Sequence, residues 1–226
     1  MSRPAFASNW HGDGEALAMC TVVVRSEPFL LLSNRDEYLD RPAARLDFWP
    51  DQPVLAGRDL LGGGAWLGFG PQRRWAVLTN IPGPVPAGAP SRGCLVQGFL
   101  TGQLRADSIP RHHFAGFNLL LGAGSHLTYL SSRHPPQTLP AGTYGLGNDT
   151  LERPSPRVAR ALELVRTSPA QSPEAWLDLF SDPLIWIDLP GYGTRCTTLA
   201  LADGGLRVYE RTRGQSDIRQ RDWPDW

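Results

Sequence analysis

RCTTLALAD and LRVYERT stand on either side of Gly204-Gly205. Two runs rich in β-branched and apolar residues joined by a tight-turn dipeptide make the clearest hairpin in the chain. Similar runs recur upstream: TVVVR and PFLLLS flank a Ser26-Glu27-Pro28 turn, GAWLGFG and RRWAVLTN meet at Pro71-Gln72, and GFNLLLGAG precedes HLTYLSS. Helical signals are confined to a short segment over Cys94–Leu104, to Pro156–Arg166 with Val158, Ala161, Leu162 and Val165 on one face, and to Pro173–Phe180 behind a Ser172 cap. Strands, helix, strands, helices and strands in that order predict an α+β protein whose helices cover antiparallel sheets. Tyr38–Gly64 mixes prolines, glycines and charges, and the proline-rich IPGPVPAGAPSRG reads as a surface loop near Asn80, suited to a lid.

At 226 residues the chain is long enough for one sizeable core, and we read residues 19–226 as a single domain. Residues 1–18 are polar and aperiodic, which predicts a disordered extension or a misassigned start at Met1 with the true start at Met19. The 22 basic and 22 acidic residues cancel, so no global field draws nucleic acid or an anionic membrane. All the basic residues are arginines, which excludes lysine Schiff-base chemistry and, with 24 glycines and 21 prolines, suggests a GC-rich bacterial source. Three cysteines without paired spacing point to a reducing compartment, the cytoplasm by default. No apolar run approaches the roughly 20 residues of a membrane span, and no histidine or cysteine cluster has metal-ligand spacing, so neither a span, a metal nor a required cofactor is expected. The oligomeric state is left open.

Cys20, Arg35-Asp36, Asn80, Asn148 and Arg195 each fall near the end of a strand signal or in a glycine-flanked turn. Together they offer the groups of amide hydrolysis: a thiolate to attack a carbonyl, arginine to lower the thiol pKa, aspartate to orient, and asparagine amides to donate to an oxyanion. A chain beginning at Cys20 would add a free α-amine, whose reference pKa of about 7.7–8.0 suits it to serve as the base. As ligand contacts we take Asn34, Arg35, Glu37, Arg92, Tyr192 and Arg195.

Met19-Cys20, SNRDEY, GGAWLG, LTN, SRG, TYGLGN and GYGTR, in this order, resemble the NRDE family, also called the transport-and-Golgi-organization family. The resemblance implies the four-layer αββα sandwich of N-terminal-nucleophile hydrolases. Carried over from the cysteine amidases of that superfamily, Cys20 matches the nucleophile, Arg35 its neighbouring arginine, Asn80 and Asn148 the oxyanion and substrate asparagines, and Arg195 a late arginine. Those amidases separate their early arginine and aspartate by two residues, whereas Arg35 and Asp36 are adjacent and should point oppositely on a strand.

The resemblance also implies movement of haem, in bacteria and eukaryotes, and handling of acyl-CoA or lipid in eukaryotes. Three readings follow. The first is a cytoplasmic carrier of a hydrophobic, acid-bearing ligand such as haem or acyl-CoA, the second a cysteine amidohydrolase acting on a small acyl amide, and the third an interaction scaffold with a vestigial pocket. The bland alternatives are a buried, inert Cys20, a charged turn at Asn34–Glu37, turn-stabilising Asn80 and Asn148, and an Arg195 paired with a surface carboxylate. Cys94 and Cys196 read as packing residues and His112-His113 as solvated. The tail from Trp223 to Trp226 packs on the domain or on a partner.

Overall fold

The computed structural model describes residues 20–226, so the expectations for residues 1–18 and Met19 lie outside the described residues. Two antiparallel sheets face each other. One runs, edge to edge, β10 (Thr143–Leu146), β1 (Thr21–Arg25), β2 (Leu30–Tyr38), β12 (Tyr192–Ala202), β13 (Leu206–Thr212) and β14 (Ile218–Trp223), with the short β11 (Asp188–Leu189) on β12. The other follows chain order: β3 (Ala43–Phe48), β4 (Leu55–Asp59), β5 (Leu67–Gly70), β6 (Arg74–Asn80), β7 (Phe117–Ala123), β8 (His126–Ser131) and β9 (Gln137–Leu139).

Strand alternation sorts the apolar side chains into three layers of core. Val22, Val24, Leu31, Val77, Leu120, Ala200 and Val208 fill the space between the sheets. Their neighbours Val23, Leu30, Leu32 and Leu199 point outward onto α2 (Pro156–Thr167) and α3 (Pro173–Leu179). Ala76, Leu78, Leu119 and Leu121 point the other way, onto α1 (Gly93–Leu100). Each fully buried Val or Leu contributes about 1.5–3 kcal/mol, and a one-residue slip would exchange the two faces of a strand, so the register is strongly fixed. The result is a four-layer αββα sandwich.

Local chemistry sets the boundaries. Ser155 and Ser172 cap α2 and α3, accepting from the amides of Val158 and Ala175, and each helix opens with proline, whose missing N–H costs nothing there. α1 ends at Leu100, four residues before the expected end, and Gly102 follows with φ +76°. Gly64 crosses Gly93 so closely that a Cβ on Gly64 would lie 2.3 Å from the Gly93 carbonyl carbon.

Several expectations are corrected. Asn34–Tyr38 is no turn: β2 continues through it, because β12 pairs with it from Tyr192 to Leu201. Tyr38–Gly64 contains β3 and β4, and β9 and β14 were likewise unmarked by the sequence. The tail joins the domain, since Trp226 donates from Nε1 to the Gly70 carbonyl at 2.9 Å and its ring lies 5.8 Å from that of Phe29. His112 and His113 are exposed as expected, whereas Cys94 is exposed and only Cys196 is buried.

Candidate functional site at the Cys20 end of the sandwich

Cys20 immediately precedes β1 with φ +46°, a left-handed conformation unusual for cysteine. Antiparallel pairing brings Val22 opposite Leu146, so the turn that carries Asn148 leaves β10 at the same end of the sheet at which Cys20 enters β1. Thr21 pairs with Asn34, which sets Arg35 beside Cys20 on the other side. Cys20 is half-buried, and its Sγ lies 4.0 Å from the Asp36 carbonyl oxygen. Burial pushes the thiol up to about 12, the Asp36 carboxylate adds to the rise, and Arg35 opposes it too weakly to win. The thiol is therefore protonated at neutral pH.

The adjacent arginine and aspartate do point to opposite faces. Arg35, only 5% exposed, turns between the sheets, where its guanidinium stacks 4.2 Å from the Trp66 ring centroid and lies 3.8 Å from the Glu37 carboxylate. The Asp36 carboxylate turns toward the helices and accepts from Thr194 Oγ1 at 2.6 Å and Arg157 Nη2 at 2.7 Å. Burial raises the Asp36 pKa despite these partners. Its backbone carbonyl faces the thiol, and its carboxylate, expected to orient an amine or an arginine, holds Arg157 and Thr194. Arg157, on α2, also holds the Ile185 carbonyl at 2.9 Å and ties the helix layer to β2.

Asn34 faces the helices as well. It is fully buried, donates to the Phe180 carbonyl at 2.9 Å and accepts from Thr197 at 2.6 Å, so both ends of its amide brace the fold rather than reach a ligand. Arg195 is the extra residue of a bulge between Thr194 and Cys196, where pairing steps from Asp36 to Arg35. Its Nη1 donates to the carbonyls of Tyr38 and Arg41, both at 2.8 Å. It braces the turn after β2 from behind Arg35 and does not join the groups around Cys20.

Asn80 and Asn148 do come together, the Asn148 amide donating to the Asn80 carbonyl. The turn carrying Asn148 lies against the nucleophile candidate: a Cβ on Gly147 would be 3.8 Å from the Cys20 carbonyl oxygen. Asn118, buried in β7 and absent from the sequence expectations, holds this turn from the second sheet. A lone polar residue inside the apolar run GFNLLLGAG was the available signal, because a buried amide must find partners.

Cations and one hydroxyl complete the end of the sandwich. Arg92, at the start of α1, donates to the Gly116 carbonyl at 2.7 Å and lies within electrostatic reach of the Glu37 carboxylate and of the Cys20 side chain. Arg41 pairs with Asp59 at 2.7 Å and approaches Glu37 at 3.7 Å. Three guanidinium groups, Arg35, Arg41 and Arg92, thus face two carboxylates, Glu37 and Asp59. Tyr192 is 8% exposed and its hydroxyl has no hydrogen-bond partner among the described residues. Burial drives its pKa up, and its proximity to the Cys20 and Asp36 side chains adds to that, so it stays a neutral donor. Among the described residues no group of His, Cys, Asp and Glu is arranged to hold a metal ion.

Comparison with known proteins agrees with the architecture. A family model described as Transport and Golgi organisation 2 matches residues 19–215. A Transport and Golgi organization protein 2 homolog from Homo sapiens is 29% identical over 262 residues, 88% of this chain and 95% of that protein. The homolog from Bos taurus is 31% identical over 261 residues, with the same coverage of 88% and 95%. Among solved structures, the Caenorhabditis elegans ortholog of N-acylethanolamine-hydrolyzing acid amidase superposes with a TM-score of 0.55 at 11% identity, over 80% of this chain and 92% of that one. That likeness concerns the fold, which is of the N-terminal-nucleophile hydrolase type. With the family model spanning nearly all the described residues, the chain belongs to the Transport and Golgi organisation 2 family.

Proposed function

We propose that the Cys20 end of the sandwich binds a small, hydrophobic, acid-bearing molecule such as haem or an acyl-CoA, and that the protein carries it through the cytoplasm without cleaving it. The observation that carries this reading is an end of the sandwich rich in donors, whose carboxylates are each paired with an arginine. Arg35, Arg92 and the Tyr192 hydroxyl, which has no partner among the described residues, lie within electrostatic reach of a thiol pushed up to about 12. The nearby Asp36 carboxylate, which could have served as its base, is turned away onto Arg157. Such a set holds an anion well and generates a thiolate badly. Saturable binding of haem, read as a spectral shift, or of acyl-CoA, read by calorimetry, should weaken on Arg35→Ala and on Arg92→Ala and survive Cys20→Ala. Absence of saturable binding for both ligands would end this reading.

A second reading, a cysteine amidohydrolase acting on a small acyl amide, is favoured by the position of Cys20 at the head of β1, against the turn that carries Asn148. In a chain beginning at Cys20, the α-amine would take the thiol proton as Sγ attacks the carbonyl carbon, and Asn148 would donate to the developing oxyanion. The amine would then protonate the leaving nitrogen as the C–N bond breaks, and water would release the acid from the thioester. Turnover confined to that chain, and lost in Cys20→Ser and Cys20→Ala, would establish it; turnover persisting in both variants would exclude it.

A further inference from the structure

Asn118 is fully buried in β7, in the sheet that does not carry Cys20. Its Nδ2 donates to the carbonyl of Asp149 at 2.9 Å and of Gly147 at 3.2 Å, and lies 3.3 Å from the Thr79 hydroxyl. Its Oδ1 accepts from the Tyr129 hydroxyl at 2.9 Å. Thr79, also fully buried, donates to the Gly147 carbonyl. The two carbonyls on Nδ2 bracket Asn148, so one amide group restrains the chain on either side of that residue. We propose that Asn118 is a positioning residue which, oriented by Tyr129 and assisted by Thr79, staples the Gly147–Asp149 turn of the first sheet to the second and so fixes Asn148 at the Cys20 end of the sandwich.

The chemistry is directional. A tyrosine hydroxyl donating to Oδ1 selects the amide orientation in which the NH₂ group faces the turn. The Asn148 side chain adds only its own bond to the Asn80 carbonyl, and the neighbouring Gly147 gives the turn little stiffness of its own. Without Asn118 the carbonyls of Gly147 and Asp149 lose their shared donor, and Asn148 loses its fixed place. This assignment concerns the turn itself; only its consequence for a ligand rests on the binding reading above.

Asn118→Asp is the informative substitution, because it keeps the shape and the Tyr129 contact while an ionised carboxylate cannot donate. Hydrogen exchange at the backbone amides of residues 147–149, corrected for intrinsic rate, should rise by at least about tenfold at pH 8, as expected for two lost hydrogen bonds. It should fall back toward the wild-type value as the pH is lowered and the buried carboxyl regains a proton to donate, a pH step the wild type lacks. Tyr129→Phe, which removes the orienting hydroxyl alone, should raise exchange at the same amides by a smaller factor and serves as the arbiter if Asn118→Asp does not fold. Unchanged exchange at 147–149 in the folded variants, or a rise spread evenly over both sheets without the pH step, would overturn the assignment. The two claims separate cleanly: a protected turn in a protein that binds no ligand refutes the binding reading and leaves the staple standing.

Discussion

Replacing Arg157 with Met should expose how much the helix layer depends on one buried ion pair. Arg157 is 10% exposed and the Asp36 side chain 0%, with 2.7 Å between Nη2 and Oδ2, and the same guanidinium satisfies the Ile185 carbonyl. Removing one partner of a buried pair typically costs about 3–5 kcal/mol, because the remaining charge stays buried without its counter-ion. For a chain of this size that is roughly 6–20 °C in Tm, at about 2–4 °C per kcal/mol.

The pH dependence supplies the sharper test. The folded-state pKa of Asp36 is raised by burial even with Arg157 present, so its contribution is most favourable below the unfolded carboxylate value of about 3.9 and declines as pH rises through the folded pKa. Without Arg157 the folded pKa rises further. The difference between variant and wild type should therefore be largest at pH 8 and shrink as pH falls toward 5. Urea denaturation at both pH values, followed by tryptophan fluorescence, measures it, and Asp36→Asn in the Arg157→Met background should recover part of the loss. A destabilisation below about 1 kcal/mol at pH 8, or one independent of pH, would refute the reasoning.

Cys20 should alkylate slowly with iodoacetamide at pH 8 and accelerate toward pH 11, because its thiol is pushed up to about 12, whereas the exposed Cys94 should react faster at pH 8; peptide mass spectrometry resolves the two. Leu120→Ala, at the centre of the space between the sheets, should cost about 2–5 kcal/mol in chemical denaturation with no change in helix content. Gly64→Ala should destabilise by about 1–3 kcal/mol, since its Cβ would press on the Gly93 carbonyl carbon, and Gly93 has only backbone with which to yield.

Elements with local signals were legible in the sequence. The β12–β13 hairpin turns at Gly204, whose φ is +69°, and α3 starts at the Ser172 cap where the sequence places it. β3 and β4 were not legible, because AARLDF and LAGRD lack a regular apolar alternation and owe their extended form to the ladder they make with each other and with β5, while Leu46 and Asp47 of β3 also reach Glu210, Arg219 and Arg221 of the other sheet. SNRDEY read as a charged motif at a strand's end, yet β12 makes it a strand, and strand alternation then decides its chemistry by sending Arg35 inward and Asp36 to the helices. Cys20, Asn80 and Asn148 could be singled out because each lies at or next to a strand end, whereas Arg35 sits inside β2 and was marked only by the charge density of its motif. Asn34 and Arg195 were legible as polar motif residues but not as braces, since their partners, the carbonyls of Phe180, Tyr38 and Arg41, leave no trace in side-chain identity.

The most direct test of the account is a haem and acyl-CoA titration of the wild type beside Arg92→Ala, Arg35→Ala and Cys20→Ala. A donor-rich end that holds an acid-bearing ligand predicts saturable one-to-one binding of at least one ligand, weakened by about tenfold, or about 1.4 kcal/mol, in either arginine variant and unchanged in Cys20→Ala. Binding that never saturates, or that is indifferent to both arginines, would contradict it.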